Sequence, residues 1–220
     1  MDTKQTIAEY YDKKAQEYEE VYSRKDTIRL QEQKLIQAYI EKKFKDRLVL
    51  ELACGTGYWT KYLLPIAQKI IAIDQSKEML TIAKSRYARH PNIVFLQEDA
   101  YTPPTNTPAF TGCMANFLFS HILRKEIPIF LETLHKKLAN NAFVMFVDSN
   151  YQKGFGGILV KKDGVEDTWK RRKLNSGEEY EVLKNYFTKE DLKNTFGKYT
   201  KDLEIQYLTN FWIVGYYLEK

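Results

Sequence analysis

The sequence predicts an α/β fold, an open and mostly parallel sheet covered by helices on both faces. Three observations carry this. Short apolar runs alternate with stretches of helical periodicity from residue 48 onward, the first run ends in a glycine loop, and the next two are followed by acids. Open sheets of this kind bind ligands beyond the carboxyl ends of their strands, so those run ends are where a site is expected.

Residues 6–21 place Ile7, Tyr10, Tyr11, Ala15, Tyr18 and Val21 three or four apart, and 28–44 carries Leu30, Leu35, Ala38 and Tyr39 between charges. Both patterns predict helices. The run at 48–52 is apolar apart from Glu51, as in a strand buried on both faces. A helix over 57–64 follows, stopped near Pro65, then a strand over 69–74. Ser76 is placed to cap a helix running through Tyr87. Further strands are expected at 92–96, 110–117 and 142–148, with a helix at 125–138 between the last two.

Residues 154–186 break the alternation. Asp163-Gly164 and Asn175-Ser176-Gly177 are turn signals, so 168–174 is predicted to pair with 179–185 as a β-hairpin inserted between core elements. Thr188-Lys189-Glu190-Asp191 resembles a capping box that opens the last helix. Strands at 203–208 and 211–218 bring the sheet to seven. The expected organisation is one domain over 1–220, with 1–44 as a helical lid.

Of the 220 residues, 44% are apolar and 29% charged, enough to bury a core. With 34 basic against 29 acidic residues the net charge is +5, which permits anionic partners without requiring them. Cys54 and Cys113 have neither disulfide-framework nor zinc spacing and are expected as buried thiols in a reducing compartment. The opening Met1-Asp2-Thr3-Lys4-Gln5 has no apolar leader region, and no run approaches the roughly 18 apolar residues that span a bilayer. A cytoplasmic protein without membrane contact or bound metal is expected.

The strongest motif is Val49-Leu50-Glu51-Leu52-Ala53-Cys54-Gly55-Thr56-Gly57, a strand ending in a glycine loop. Glycines there allow positive φ and close approach of a ligand. Asp74 ends the second strand, where a carboxylate can accept from two ribose hydroxyls, and Asp99 follows the third, placed for an adenine amino group. A dinucleotide fingerprint would need a third glycine where Thr60 stands. A pyrophosphate would also gain nothing from Glu51, whereas a cofactor with an amino group and a sulfonium would.

On the Glu51–Gly57 run, Asp74, Asp99-Ala100 and Ala115-Asn116-Phe117, the sequence resembles the class I S-adenosylmethionine-dependent methyltransferases, and more closely a small-molecule branch that includes quinone-biosynthesis-like enzymes. The likeness extends over about residues 7–218, taking in Tyr10-Tyr11-Asp12 and Ser120-His121-Ile122. It implies a Rossmann-like fold with S-adenosylmethionine as cofactor, S-adenosylhomocysteine as product and a small-molecule acceptor. Ala53 departs from the first glycine many members carry, and the fourth strand lacks an acid at its start.

By that resemblance Glu51, Ala53, Gly55, Thr56 and Gly57 hold the amino-acid part of the cofactor. Asp74 takes the ribose, Gln75 and Met79 pack near the adenine, and Asp99 and Ala100 read its edge. Asn116 and Phe117 line the floor, with Tyr11 and Tyr18 folding over as a lid. His121, just past the fourth strand, is the candidate base or acceptor ligand; the alternative is a packing histidine. His90 and His135 are expected to be structural. Tyr18, Asn150, Arg171 and Tyr180 are the further acceptor candidates, the last two on a hairpin that also carries Trp169, Arg172 and Lys173. A nucleic-acid methyltransferase is disfavoured because Asn116 precedes Phe117-Leu118-Phe119 rather than Pro-Pro-aromatic, and no separate RNA-binding module fits. A non-catalytic cofactor-binding protein would show the same fold.

Overall fold

The structure is a computed structural model that describes residues 3–23, 26–87, 89–104 and 109–220. Residues 1, 2, 24 and 25 of the expected lid therefore lie outside the described residues.

The chain opens with α1 (Thr3–Lys14), which tightens into a 3₁₀ helix over Ala15–Val21. Residues three apart eclipse in a 3₁₀ turn, which stacks Ala15, Tyr18 and Val21 on the inward side. The predicted helix over 6–21 is thus two pieces. Then comes α2 (Thr27–Lys43), whose N-terminus is closed by Asp26 accepting from Arg29 N at 2.9 Å.

The α/β core follows with β1 (Leu48–Leu52), α3 (Thr60–Leu63), β2 (Lys69–Asp74), α4 (Lys77–Tyr87), β3 (Ile93–Gln97) and β4 (Phe110–Asn116). Two short 3₁₀ turns lead to α5 (Ile127–His135) and β5 (Leu138–Ser149). An excursion then supplies β6 (Ile158–Lys161), β7 (Thr168–Lys173) and β8 (Glu179–Leu183). The chain ends with α6 (Lys189–Phe196), β9 (Glu204–Tyr207) and β10 (Phe211–Tyr217).

The main sheet has seven strands in the order β3-β2-β1-β4-β5-β10-β9. Its first five strands are parallel, while β10 runs antiparallel to β5 and β9. Side chains alternate between two apolar layers, Leu50, Ile71, Ile73 and Cys113 facing one, and Val49, Ile70, Ala72 and Met114 the other. The strand order reverses between β1 and β4, and the crevice at their carboxyl ends is where ligands bind in such sheets.

Three expectations need correction. The helix predicted over 57–64 survives only as α3, because Gly55 and Gly57 take φ of +57° and +80° and cannot belong to a right-handed helix. The predicted hairpin is a three-stranded sheet, β6-β7-β8, since Ile158 to Lys161 add an antiparallel strand to β7. Lastly, β5 starts four residues early: Leu138 pairs with Phe110, and Asn141 at φ +62° bends the strand into its buried stretch. The capping box at Thr188 and Asp191 is formed as read.

Helix α2 closes over the sheet at one tight point. A Cβ on Gly215 of β10 would run into the Tyr39 hydroxyl and the Phe143 ring. Gly215→Ala is expected to destabilise the fold by about 1–3 kcal/mol through overpacking. Urea denaturation with unchanged slope would measure it.

Candidate active site

The loop after β1 is built on three consecutive left-handed departures, Ala53, Gly55 and Gly57, at φ +49°, +57° and +80°. Gly57 also has no room for a side chain, since a Cβ there would sit 2.8 Å from the Tyr87 ring. Asp74 at the end of β2 locks this loop: its two carboxylate oxygens accept from Gly55 N and Ser76 N, each at 2.8 Å. Burial pushes the Asp74 carboxyl up to about 6, against the pull of those two N–H groups.

Around this loop the structure gathers a first cavity. Of the predicted cofactor residues it is lined by Tyr11, Ala53, Gly55, Asp74, Gln75, Met79, Asp99, Ala100, Asn116 and Phe117. Sequence reasoning missed Ser76, Glu98, Tyr101 and Leu118, which line it too; their positions right beside Gln75, Asp99, Ala100 and Phe117 were the available signal. Asn116 is 9% exposed, and neither its Oδ1 nor its Nδ2 has a hydrogen-bond partner. Buried amides are nearly always satisfied, so both ends of this one stand ready to bond a molecule in the cavity.

Glu51, Thr56 and Gly57 do not face this cavity. Glu51 is 2% exposed behind the loop, accepts from the Thr60 hydroxyl at 2.8 Å, and is pushed by burial up to about 8. Thr56 donates its hydroxyl to Glu19 of the 3₁₀ segment. These three shape the loop from beneath and from the roof.

A second cavity adjoins the first. It is walled by the 3₁₀ segment, α2, the end of β5, the glycine-rich stretch at 155–157 and the inserted sheet. Tyr11, Tyr18 and Phe117 line both cavities and form the partition. Phe117 holds φ +63°, an outlier for an aromatic residue. Its amide donates to Val147 O at 2.7 Å, which helps hold the strain in place.

Among the acceptor candidates, Tyr18 and Asn150 line the second cavity, with Asn150 Nδ2 anchored to Leu208 O and Phe211 O. Arg171 and Tyr180 line neither central cavity. Side chains alternate along β7, so Arg171 points outward to Glu181 at 3.7 Å and Arg172 points in. Tyr180 instead packs on Tyr10 and donates to Glu9 at 3.0 Å, fastening α1 to the inserted sheet. Lys184, Arg29 and Tyr186 also reach this cavity, and no motif signalled them.

His121 lines the first cavity, with both ring nitrogens engaged. Nδ1 lies 2.6 Å from Leu183 O, which can only accept, so Nδ1 carries the proton. Nε2 is therefore the acceptor for the Tyr11 hydroxyl at 2.8 Å. Burial, with Lys184 and Arg172 adding repulsion, lowers the imidazole to about 3. Burial raises the Tyr11 phenol to about 12. The other histidines lie apart: His135 bonds the Tyr216 hydroxyl and His90 bonds Asn92.

Beside His121 sits a buried ion pair. Lys184 Nζ donates to Asp148 Oδ1 at 2.7 Å and to Ser120 Oγ at 2.6 Å. Asp148 also accepts from Ser120 N and Ser149 N. Burial works against its ionisation, but Lys184 and these donors outweigh that and leave the carboxyl below its usual range.

Residues 49–141 match the family model described as the methyltransferase domain. That stretch of the chain is similar to methyltransferase domains. An uncharacterized methyltransferase of Oceanobacillus iheyensis is 27% identical over 172 residues, covering 76% of this chain and 75% of its own. Among solved structures, the complex of DhpI with SAM and HEP superposes with a TM-score of 0.74 at 21% identity, covering 97% of this chain and 96% of DhpI. The 1,6-didemethyltoxoflavin-N1-methyltransferase of Burkholderia thailandensis, with bound 1,6-didemethyltoxoflavin and S-adenosylhomocysteine, does so at 0.63 and 14% identity, covering 98% and 88%. Both structures share the fold. Among the described residues no helix is long and apolar enough to cross a membrane.

Two expected outcomes follow from the histidine and the ion pair. Lys184→Met leaves Asp148 charged and buried without its cation, and should cost about 3–5 kcal/mol of stability in urea denaturation. Nitrogen-15 spectra of labelled histidine should show His121 as the Nδ1–H tautomer, unchanged between pH 5 and 8. A midpoint near the ordinary histidine value would overturn the bonded arrangement.

Proposed function

We propose that this protein transfers the methyl group of S-adenosylmethionine to a small-molecule acceptor, the donor occupying the first cavity and the acceptor the second. The observation that carries this is Asn116, a buried amide with both ends unsatisfied, in an acid-lined cavity at the strand-order reversal. The residues present fit the donor. Asp74 and Asp99 offer carboxylates at the ends of β2 and β3, and Asn116 offers a donor and an acceptor to the amino-acid end. A side chain on Gly55 would approach Met79 and Tyr18, within the space the donor needs.

When bound, S-adenosylmethionine supplies a methyl group already activated on a sulfonium. The protein's part is to align the acceptor and exclude water. Phe117, Tyr11 and Tyr18 stand where the two cavities meet, so they frame the transfer. His121, the predicted catalytic residue, fits best as the group that fixes the Tyr11 hydroxyl at this gap, because its free lone pair is already taken by that hydroxyl. The DhpI complex, with SAM and HEP together, and the toxoflavin enzyme, with its ring substrate, support a small acceptor on this architecture. In this reading the whole of 1–220 works as one domain, with 1–44 as roof and 154–186 as acceptor wall. The buried free thiols of Cys54 and Cys113 fit a cytoplasmic setting.

The test is the pH dependence of S-adenosylhomocysteine binding. Ribose hydroxyls donate to ionised Asp74, so binding favours the charged form of a group that sits near 6 in the free protein. Affinity should rise with pH through 6 and then level off, about tenfold weaker at pH 5 than at pH 7. Asp74→Asn should abolish that dependence and weaken binding by about 1–3 kcal/mol. Calorimetry that finds no binding, or a flat wild-type profile, would remove the ribose role.

A further inference from the structure

The two cavities differ in electrical character. The first presents Asp74, Glu98 and Asp99, with Lys4 as its one cation among the described residues. The second presents Lys14, Arg29, Arg172, Lys173 and Lys184, and no carboxylate lines it among the described residues. The nearby acids are engaged: Glu17 lies 3.5 Å from Lys14, and Asp148 holds Lys184 from behind. No carboxylate lies within ion-pair reach of Arg172 among the described residues.

Arg172 is half-buried at the centre of this wall. One guanidinium nitrogen reaches the Tyr11 hydroxyl at 3.4 Å, and the group stands 5.5 Å from the Tyr10 ring centroid. Its Nε is buried with no hydrogen-bond partner. The uncompensated charge is felt by its neighbours. Burial lowers the Lys184 ammonium, Asp148 opposes this, and Arg172 and Arg29 add to the lowering. Burial also lowers Lys170, and Arg172 adds to that. Crowding like charges in a partly desolvated space is costly unless an anion completes the arrangement.

We infer that the acceptor is a small molecule bearing an oxyanion, a carboxylate or a phosphate-type group, which seats on Arg172 with Lys184 and Arg29 behind it. This rests on the second cavity being the acceptor site of the methyltransferase. A planar guanidinium without a carboxylate partner among the described residues suits two-point recognition of such a group. The sulfonium of the donor, arriving from the acid-lined side, adds to the attraction.

The test follows the Arg172 Nε–H proton signal while the protein is titrated with inorganic phosphate, acetate, trimethyl phosphate or acetamide. Each titration is run with and without saturating S-adenosylhomocysteine. Phosphate or acetate should shift the signal saturably, and the two neutral probes should not; the tighter anion identifies the group as phosphate-type or carboxylate. By calorimetry Arg172→Gln should weaken the anion about tenfold or more, the scale of one charged hydrogen bond. Arg172→Lys should retain part of that affinity, and Lys136→Gln, an exposed cation elsewhere, should change nothing. If S-adenosylhomocysteine binds but neither anion moves Arg172, or the neutral probes bind as well as the anions, this inference fails while the methyl-donor reading stands. If S-adenosylhomocysteine itself does not bind, the donor reading fails, and the anion titrations on the free protein still judge the cavity.

Discussion

The ion pair between Lys184 and Asp148 is the contact on which the wall of the second cavity depends. Asp148 belongs to the end of β5, in the main sheet, whereas Lys184 follows β8 of the inserted sheet. Their union fastens the insertion at the carboxyl edge of the core. It also places Ser120, whose hydroxyl accepts from Lys184 and whose amide donates to Asp148. Through the neighbouring Leu183 carbonyl it sets the tautomer of His121, and through His121 the direction of the Tyr11 hydroxyl. A buried pair is rarely worth much against an apolar substitute. Its value here is positional, since one desolvated contact aligns a strand, a turn, an imidazole and a phenol.

The partition between the cavities is a second constraint. Phe117 is held at positive φ by a strand-end hydrogen bond, and its ring packs against Phe211 and faces Tyr22. Strain of this kind persists only where the surroundings over-determine it. Those surroundings are aromatic throughout: Tyr22 stacks on Tyr58 at 3.8 Å, and Trp59 donates to the Tyr22 hydroxyl. An aromatic wall thus stands between an acidic and a basic cavity, and in the proposed reading transfer takes place beside Tyr11 and Tyr18.

The donor side was legible in the sequence because its signals are local. A glycine loop after an apolar run, and acids at the ends of the next two, sit within a few residues of the chemistry they serve. The sevenfold sheet was legible for the same reason, each strand being a short apolar run. The acceptor side was not. Arg172 and Arg171 are adjacent and alike, and which one points inward depends on strand parity once β6 and β8 have paired with β7. Lys184 and Asp148 are far apart in sequence and meet only through tertiary packing. Glu51 was read as a ligand from its place before the glycines, yet the twist of β1 turns it toward Thr60 behind the loop. The likeness to quinone-biosynthesis-like enzymes rests on the Glu51–Gly57 run, Asp74, Asp99-Ala100 and Ala115-Asn116-Phe117, none of which carries information about the basic face of the second cavity.

Lys170 gives the insertion a further property. Its side chain is almost fully enclosed, and its ammonium is bound to the Phe155 and Gly157 carbonyls beneath the glycine-rich stretch. That part of the second cavity's wall is therefore pinned from within the inserted sheet, and also from α2, where Arg29 stands over the Phe155 ring at 4.9 Å. In the proposed reading the acceptor wall and the loop that carries Gly55 are built from separate stretches of chain, and they meet at Tyr11, Tyr18 and Phe117, which line both cavities.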